Sequence, residues 1–374
     1  MKSTVSRLTL TILFLALLFV PGIVWLIAGD KLAAPSLENR TLAEWPEFSW
    51  KKIDTLPAKY EDYFQDHLPF RSQLISNYAR LLKEACDDCV VTTVGFGKES
   101  WFFYKNVNDG DPIANYRGED LFTSEELRRI VVDLRRTRDN LKKQGIEFVL
   151  FIAPNKERVY PEYMPDRYGQ PAEEYATRQL VDFLRAHTDL RVVYAYDEIM
   201  EAKEALGGLP LYFSSDTHWN ALGSYVGARA LLRELGIETP ALAPENITQV
   251  QTGIKGDLSI MAHLYDFIRG DPQYSIRDDS RPAFSNTSDP LQMVNSATGV
   301  ATGPRVFIRH DSFLAAMRDY LFPWFSETST YFNHLYKDEQ VDEFQPDVFI
   351  QVLVERNMRA QLTEGPLYTP PAAR

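Results

Sequence analysis

Phe148-Val149-Leu150-Phe151-Ile152 is the stretch on which the fold class turns. Five consecutive apolar residues without alternation predict a short strand buried on both faces, the kind found in parallel sheets. Just upstream, Thr123 and Glu126 have the spacing of a capping box that opens a helix running to about Gln144, and Gly145 stops it. Downstream, a helix from about Ala172 to His187 leads to a second apolar strand, Val192-Val193-Tyr194. Another helix follows Trp219. Val306-Phe307-Ile308 and Val348-Phe349-Ile350-Gln351-Val352-Leu353 supply two further strands. Buried strands alternating with helices predict an α/β domain, its mainly parallel sheet flanked by helices. Residues 240–303 interrupt the alternation with turn-rich, polar sequence and read as an insertion or as the walls of a cleft.

Outward from this domain, the N-terminus decides the compartment. Leu8 to Gly29 carries no charge over 22 residues. As a helix this run spans roughly 33 Å, about the thickness of a bilayer's hydrocarbon core. Lys2 and Arg7 precede it, which keeps the N-terminus cytoplasmic and exports everything after Asp30. The alternative is a cleaved signal peptide, with Leu32-Ala33-Ala34 as its best small-residue site. The expected organisation is an anchor or signal peptide at 1–30, a proline-punctuated linker at 31–57, and one domain at 58–374. Within that domain, Leu74, Ile75, Tyr78, Leu81 and Leu82 predict an early helix with an apolar face.

Composition narrows the function. The 374 residues carry 40 Lys and Arg against 52 Asp and Glu, a formal net charge of −12. Such a chain repels phosphate backbones, so general nucleic-acid binding is not expected. The only two cysteines, Cys86 and Cys89, enclose two aspartates. Outside the cytoplasm they predict a short disulfide rather than a zinc site, since no second ligand pair lies nearby.

Three places carry chemistry-bearing residues. In Ser214-Ser215-Asp216-Thr217-His218-Trp219-Asn220, Asp216 and His218 are two apart and share a side of an extended segment. The carboxylate would then fix the imidazole tautomer for general-base work; helix capping and a metal pair are the competing readings. In Arg309-His310-Asp311-Ser312-Phe313, a serine follows a strand and precedes a helix at the edge where open α/β sheets bind ligands. Capping by Asp311 or Ser312 competes with a nucleophile there. Each motif is expected to follow a strand, and together they supply the Asp, His and Ser of a triad, which is defined by geometry rather than chain order. Ile152-Ala153-Pro154-Asn155-Lys156, with Tyr160 beyond, offers Asn155 to an oxyanion and Lys156 to an anionic substrate; a loop with a solvated lysine is the plainer reading. His67, His187, His263 and His334 read as surface or packing residues.

These blocks resemble the SGNH-hydrolase-like O-acetyltransferases of bacterial exopolysaccharide systems, the group of the alginate acetyltransferases AlgJ and AlgX. The resemblance runs through Glu38-Asn39-Arg40, Tyr63 to Arg71, Trp101 to Tyr104, Pro154-Asn155-Lys156 with Tyr160 and Pro161, Asp216-Thr217-His218-Trp219, His310-Asp311-Ser312-Phe313 and Glu355-Arg356. It implies an SGNH-hydrolase-like α/β fold with Ser312 as nucleophile, His218 as base and Asp216 as its orienter, and it implies no cofactor. Asn155 and the Ser312 N–H are the candidate oxyanion donors, and Lys156, Tyr160, Arg309 and Arg356 the candidate substrate contacts. His310 stands where many relatives have Gly. The implied protein is tethered to the bacterial inner membrane with its domain in the periplasm, takes acetyl groups delivered by a membrane-bound O-acyltransferase, and acts on a polysaccharide acceptor. An exported carbohydrate esterase and a non-catalytic subunit of a secretion complex are the other classes this constellation allows.

Overall fold

All four apolar runs become strands of one sheet. The computed structural model describes residues 2–28, 42–86, 88–289 and 294–370. Its strands in chain order are β1 (Val94–Phe96), β2 (Phe102–Tyr104), β3 (Glu147–Ala153), β4 (Arg191–Tyr194), β5 (Ile247–Ile254), β6 (Asp271–Ile276), β7 (Ser285–Asp289), β8 (Val294–Thr298), β9 (Arg305–His310), β10 (Glu327–Phe332) and β11 (Val348–Val354). The central sheet has the order β4-β3-β11-β9-β10-β8-β7. The five strands β4, β3, β11, β9 and β10 are parallel, and β8 and β7 extend the sheet antiparallel. Residues 240–303 are therefore partly sheet: they supply β7 and β8 and a separate hairpin of β5 with β6.

Period-two alternation splits the strands' side chains between two cores. Val149, Phe151, Val306, Ile308, Ile350 and Val352 pack on one face with side chains from the helices Ala221–Glu234 and Leu314–Leu321. Phe148, Leu150, Ile152, Phe307, Phe349 and Leu353 pack on the other with the helices Ser124–Lys142 and Ala176–His187. The capping box of Thr123 and Glu126 forms as expected and starts the helix at Ser124. β11, at the middle of the parallel strands, is buried along its whole length, which is why its sequence does not alternate. β10 escapes sequence reading because its Thr and Ser residues carry no hydrophobic signal, yet Thr328, Ser329 and Thr330 are buried.

The described chain forms two compact units by its internal contacts. The α/β unit comprises Thr92–Leu258 and the residues from Arg269 onward; the other comprises the residues up to Val91 with Ser259–Ile268. The α/β unit thus starts at Thr92, inside the expected domain of 58–374. The helices Leu56–His67 and Arg71–Cys86 bury only Tyr63 and Ala79, and the expected apolar face leaves Leu74, Tyr78 and Leu81 exposed. Of the expected linker, residues 31–41 lie outside the described residues, and Trp50–Thr55 forms a 3-10 turn. The helix Lys2–Ala28 contains an unburied span, Arg7–Trp25, long and apolar enough to cross a membrane. Cys86 is the exposed last residue of its helix and is not bridged to Cys89 in this structure.

Candidate active site

The parallel strands end at one edge, and the sequence places its chemistry there. His310 ends β9 in register with Val352, and Val354 ends β11 in register with Ala153 of β3. Ser312 lies two residues beyond β9. The turn that carries it is tied down by Asp311, whose N–H donates to the Val352 carbonyl at 3.3 Å. The buried Asp311 carboxylate accepts from the N–H groups of Phe313 at 3.0 Å and Val354 at 2.7 Å, and from the Asn357 amide at 3.0 Å. Asp311 thus braces the turn by taking the Phe313 N–H, no side chain caps the helix Leu314–Leu321, and the Ser312 hydroxyl is left to His218. His310 is buried and donates from Nδ1 to the Asp311 carbonyl at 2.7 Å, and burial pushes its pKa down.

Ser312 and His218 meet across 94 residues of chain: the Ser312 hydroxyl donates to His218 Nε2 at 2.7 Å. On the other side of the ring, Nδ1 donates to Asp216 Oδ1 at 2.6 Å, and the same oxygen accepts the His218 N–H at 2.9 Å. The loop bearing both residues follows no strand of the sheet, contrary to expectation. It is a hairpin pinned by a single bridge between Tyr212 and Trp219. Asn220, not Asp216 or Thr217, caps the following helix, accepting from the N–H groups of Leu222 and Gly223. The capping reading of this motif therefore falls on Asn220, while Asp216 pairs with His218.

Buried polar groups hold this hairpin. Asp271 accepts the N–H groups of Ser214 at 2.7 Å and Ser215 at 3.1 Å, and the Ser215 hydroxyl at 2.6 Å. Lys156 donates from Nζ to the carbonyls of Phe213 and Ser214 at 3.2 Å and of Asp216 at 2.5 Å, with the rings of Phe103 and Trp101 at 5.3 and 5.6 Å. It is buried, neither solvated nor facing a substrate. Burial pushes it down to about 8 against the pull of Glu157, Asp216, Asp257 and Asp271. For Asp216, burial pushes up, but the hydrogen bond and charge of His218 and the N–H groups of Asp257 and His218 outweigh it and hold the carboxyl at about 2. Asp216 is thus the ionised partner that an imidazolium at His218 requires.

The ligand atoms of Asp216, His218 and Asp257 lie within 4.8 Å of one another, close enough for a cation. Each is already engaged, however: Nδ1 and Nε2 by Asp216 and Ser312, and the carboxylates by backbone N–H and hydroxyl donors. Metal binding would have to break this chain of bonds from Asp216 through His218 to Ser312.

The remaining predicted residues divide. Asn155 is buried; its N–H donates to Glu355 Oε2 at 2.7 Å, while both polar atoms of its side chain lack a partner among the described residues. Arg356 lies at the same strand edge, 5.4 Å from the Phe313 ring and 5.6 Å from that of Tyr104, and no carboxylate among the described residues forms an ion pair with it. Tyr160 and Arg309 are structural rather than substrate-facing. The Tyr160 hydroxyl accepts the Leu211 N–H at 2.7 Å, and Arg309 donates to the Leu367 carbonyl and Gln361 Oε1 at 3.2 and 3.0 Å. Both were placed by sequence near the sheet edge, but the pleat and the turn point them into packing. Sequence reasoning missed Asp257 and Asp271, because both fall in the turn-rich stretch where no local pattern singles out an acid.

With this geometry in hand, comparison with known proteins becomes informative. The family described as SGNH hydrolase-like domain, acetyltransferase AlgX, matches residues 94–297, more than half of the chain. The chain belongs to this family. The matched stretch holds Asp216, His218 and Asp257 and ends before Ser312. A Pseudomonas fluorescens protein named "Probable alginate O-acetylase AlgJ" is 30% identical over 149 residues, 37% of this chain and 37% of its own length. One of the same name from Pseudomonas syringae pv. tomato is 26% identical over 266 residues, 69% of this chain and 61% of its own. The similarity thus spans less than two thirds of these relatives. The structure of Bacillus cereus PatB1 with a sulfonyl adduct shares the fold at a TM-score of 0.51 and 14% identity, covering 71% of this chain and 97% of that one.

Proposed function

We propose that this chain is an O-acetyltransferase that places acetyl groups on hydroxyls of an exported polysaccharide through an acetyl-Ser312 intermediate. The observation that carries the reading is the unbroken line from Asp216 through His218 to Ser312 at the carboxyl edge of the parallel strands. Membership in a family described by acetyltransferase activity, and the name O-acetylase borne by the relatives, favour acetyl transfer.

In the first half-reaction Ser312 Oγ attacks the acetyl carbonyl of a donor while His218 Nε2 takes the hydroxyl proton, and Asp216 stabilises the resulting imidazolium. The donor's leaving group departs with that proton. In the second, a sugar hydroxyl gives its proton to His218 and attacks the acetyl-serine, and Ser312 recovers the proton as it leaves. Asn155 and the Ser312 N–H are the proposed oxyanion donors. A buried amide without a protein partner costs about 1–3 kcal/mol, a cost that a substrate oxygen in that place would offset. Arg356, with no ion-pair partner among the described residues, is the proposed contact for an acidic acceptor. The apolar N-terminal helix fits a single-pass anchor in the bacterial inner membrane, with the α/β unit in the periplasm and a membrane-bound O-acyltransferase supplying the acetyl groups.

The test is acetyl transfer in competition with water. Full-length protein in detergent is given an activated acetyl ester with and without oligosaccharides, alginate fragments first. A transferase yields acetylated sugar while acetate release falls. Steady acetate release, indifferent to every acceptor, would make the protein an esterase.

A further inference from the structure

His218 has a second carboxylate beside it. Asp257 Oδ2 lies 3.7 Å from Nδ1, on the side where Asp216 already binds. Asp257 is locked to the Asp216-Thr217-His218 tripeptide at three points. Its N–H donates to Asp216 Oδ2 at 2.9 Å, filling the oxygen that His218 leaves open. Its carboxylate accepts the Thr217 N–H at 2.7 Å and the Thr217 hydroxyl at 2.6 Å. That hydroxyl is itself 3.2 Å from His218 Nδ1. The approach is possible because residue 256 is glycine: a Cβ there would lie 2.2 Å from that of Asp216. A side chain of any kind at 256 would push the two acids apart.

We propose that Asp257 is a positioning residue for the reaction: it fixes Asp216 and Thr217 around the imidazole. This rests on the reading of His218 as the general base. The groups around the ring are Asp216 and Asp257 at Nδ1, Ser312 at Nε2 and the Phe313 ring at 5.1 Å, with the Lys156 ammonium one step away on the Asp216 carbonyl and Asp271 behind Ser215. A residue that merely braced the fold would cost stability and leave the turnover of folded protein alone, and this separates the two roles.

Asp257→Asn keeps an acceptor for Thr217 and removes the charge. Full-length wild type and variant are compared for turnover of an activated acetyl ester as a function of ester concentration. The expected result is a kcat about tenfold lower with KM nearly unchanged, because a less well held imidazole slows the chemical step rather than ester binding. An unchanged kcat, or one lowered only in proportion to a loss of folded protein, would overturn the proposal. The Nδ1 proton of His218, observed by NMR in histidine-labelled protein, gives the same answer without turnover, since its signal should shift in Asp257→Asn. If wild type shows no turnover at all, the acetyltransferase reading fails, while a shifted Nδ1 proton in Asp257→Asn still supports Asp257 and an identical one overturns it. Should Asp257→Asn fail to fold, Asp257→Ser carries the same measurements.

Discussion

The loop that carries Ser312 and the loop that carries His218 meet at one hydrogen bond, yet they are built from different materials. Ser312 hangs two residues from a buried strand, and its turn is fastened to the neighbouring strand by the backbone and by Asp311. His218 sits in a hairpin outside the sheet, and what holds it is a cage of polar side chains: buried Lys156 and Asp271, with partly exposed Asp257. The nucleophile's place is set by sheet register, the base's place by charge. Perturbing one arm should therefore leave a different signature from perturbing the other.

The largest effect is expected at the nucleophile arm. Asp311→Ala strands two buried N–H groups and the Asn357 amide, and should lower unfolding free energy by about 3 kcal/mol or more, read by denaturant melts. Lys156→Met should do the reverse in kind: a rate loss of about 100-fold with a smaller loss of stability, since removing a buried charge relieves its desolvation while freeing the base hairpin. Equal stability losses in the two variants would erase the distinction between the arms.

Acidity sharpens the same contrast. Lys156, pushed down to about 8, loses its proton within the ordinary assay range and then has two N–H groups for three carbonyls. Turnover should fall several-fold on passing from pH 7 to 9, and this alkaline limb should vanish in Lys156→Met. Stability moves the other way: between about 8 and the unfolded value near 10.4 the unfolded chain binds the extra proton, so unfolding free energy rises with pH. For Asp216, held at about 2, the stabilisation is complete above its unfolded value near 4 and is lost as pH falls towards 2. The smallest effect belongs to neither arm. Arg356→Ala should raise KM for an acidic acceptor about three- to tenfold with kcat nearly unchanged, read by initial rates across acceptor concentration.

The two arms also differ in how far sequence reveals them. Phe148–Ile152, Val306–Ile308 and Val348–Leu353 announce the sheet because a doubly buried strand needs apolar residues without a break, and a serine just past such a strand is easy to place. Asp216 and His218 are visible as a pair, but not what holds them. Lys156 follows a strand like any solvated lysine, and only the hairpin folding over it makes it a buried donor. Asp257 lies 40 residues beyond Thr217 in a polar stretch, and its role exists only once Gly256 lets the chains touch. Tyr160 and Arg309 show the converse: residues of the right type near the right edge, directed elsewhere by the turn and by the pleat respectively.

The most direct test is the mass of the protein itself. Full-length wild type and Ser312→Ala are incubated with an activated acetyl ester, quenched and weighed intact. A gain of about 42 Da, the mass of one acetyl group in place of a hydrogen, should map to Ser312, be absent in Ser312→Ala and form far more slowly in Lys156→Met. Wild type without an adduct or ester turnover, or an adduct that persists in Ser312→Ala, would contradict the assignment of Ser312 as the nucleophile.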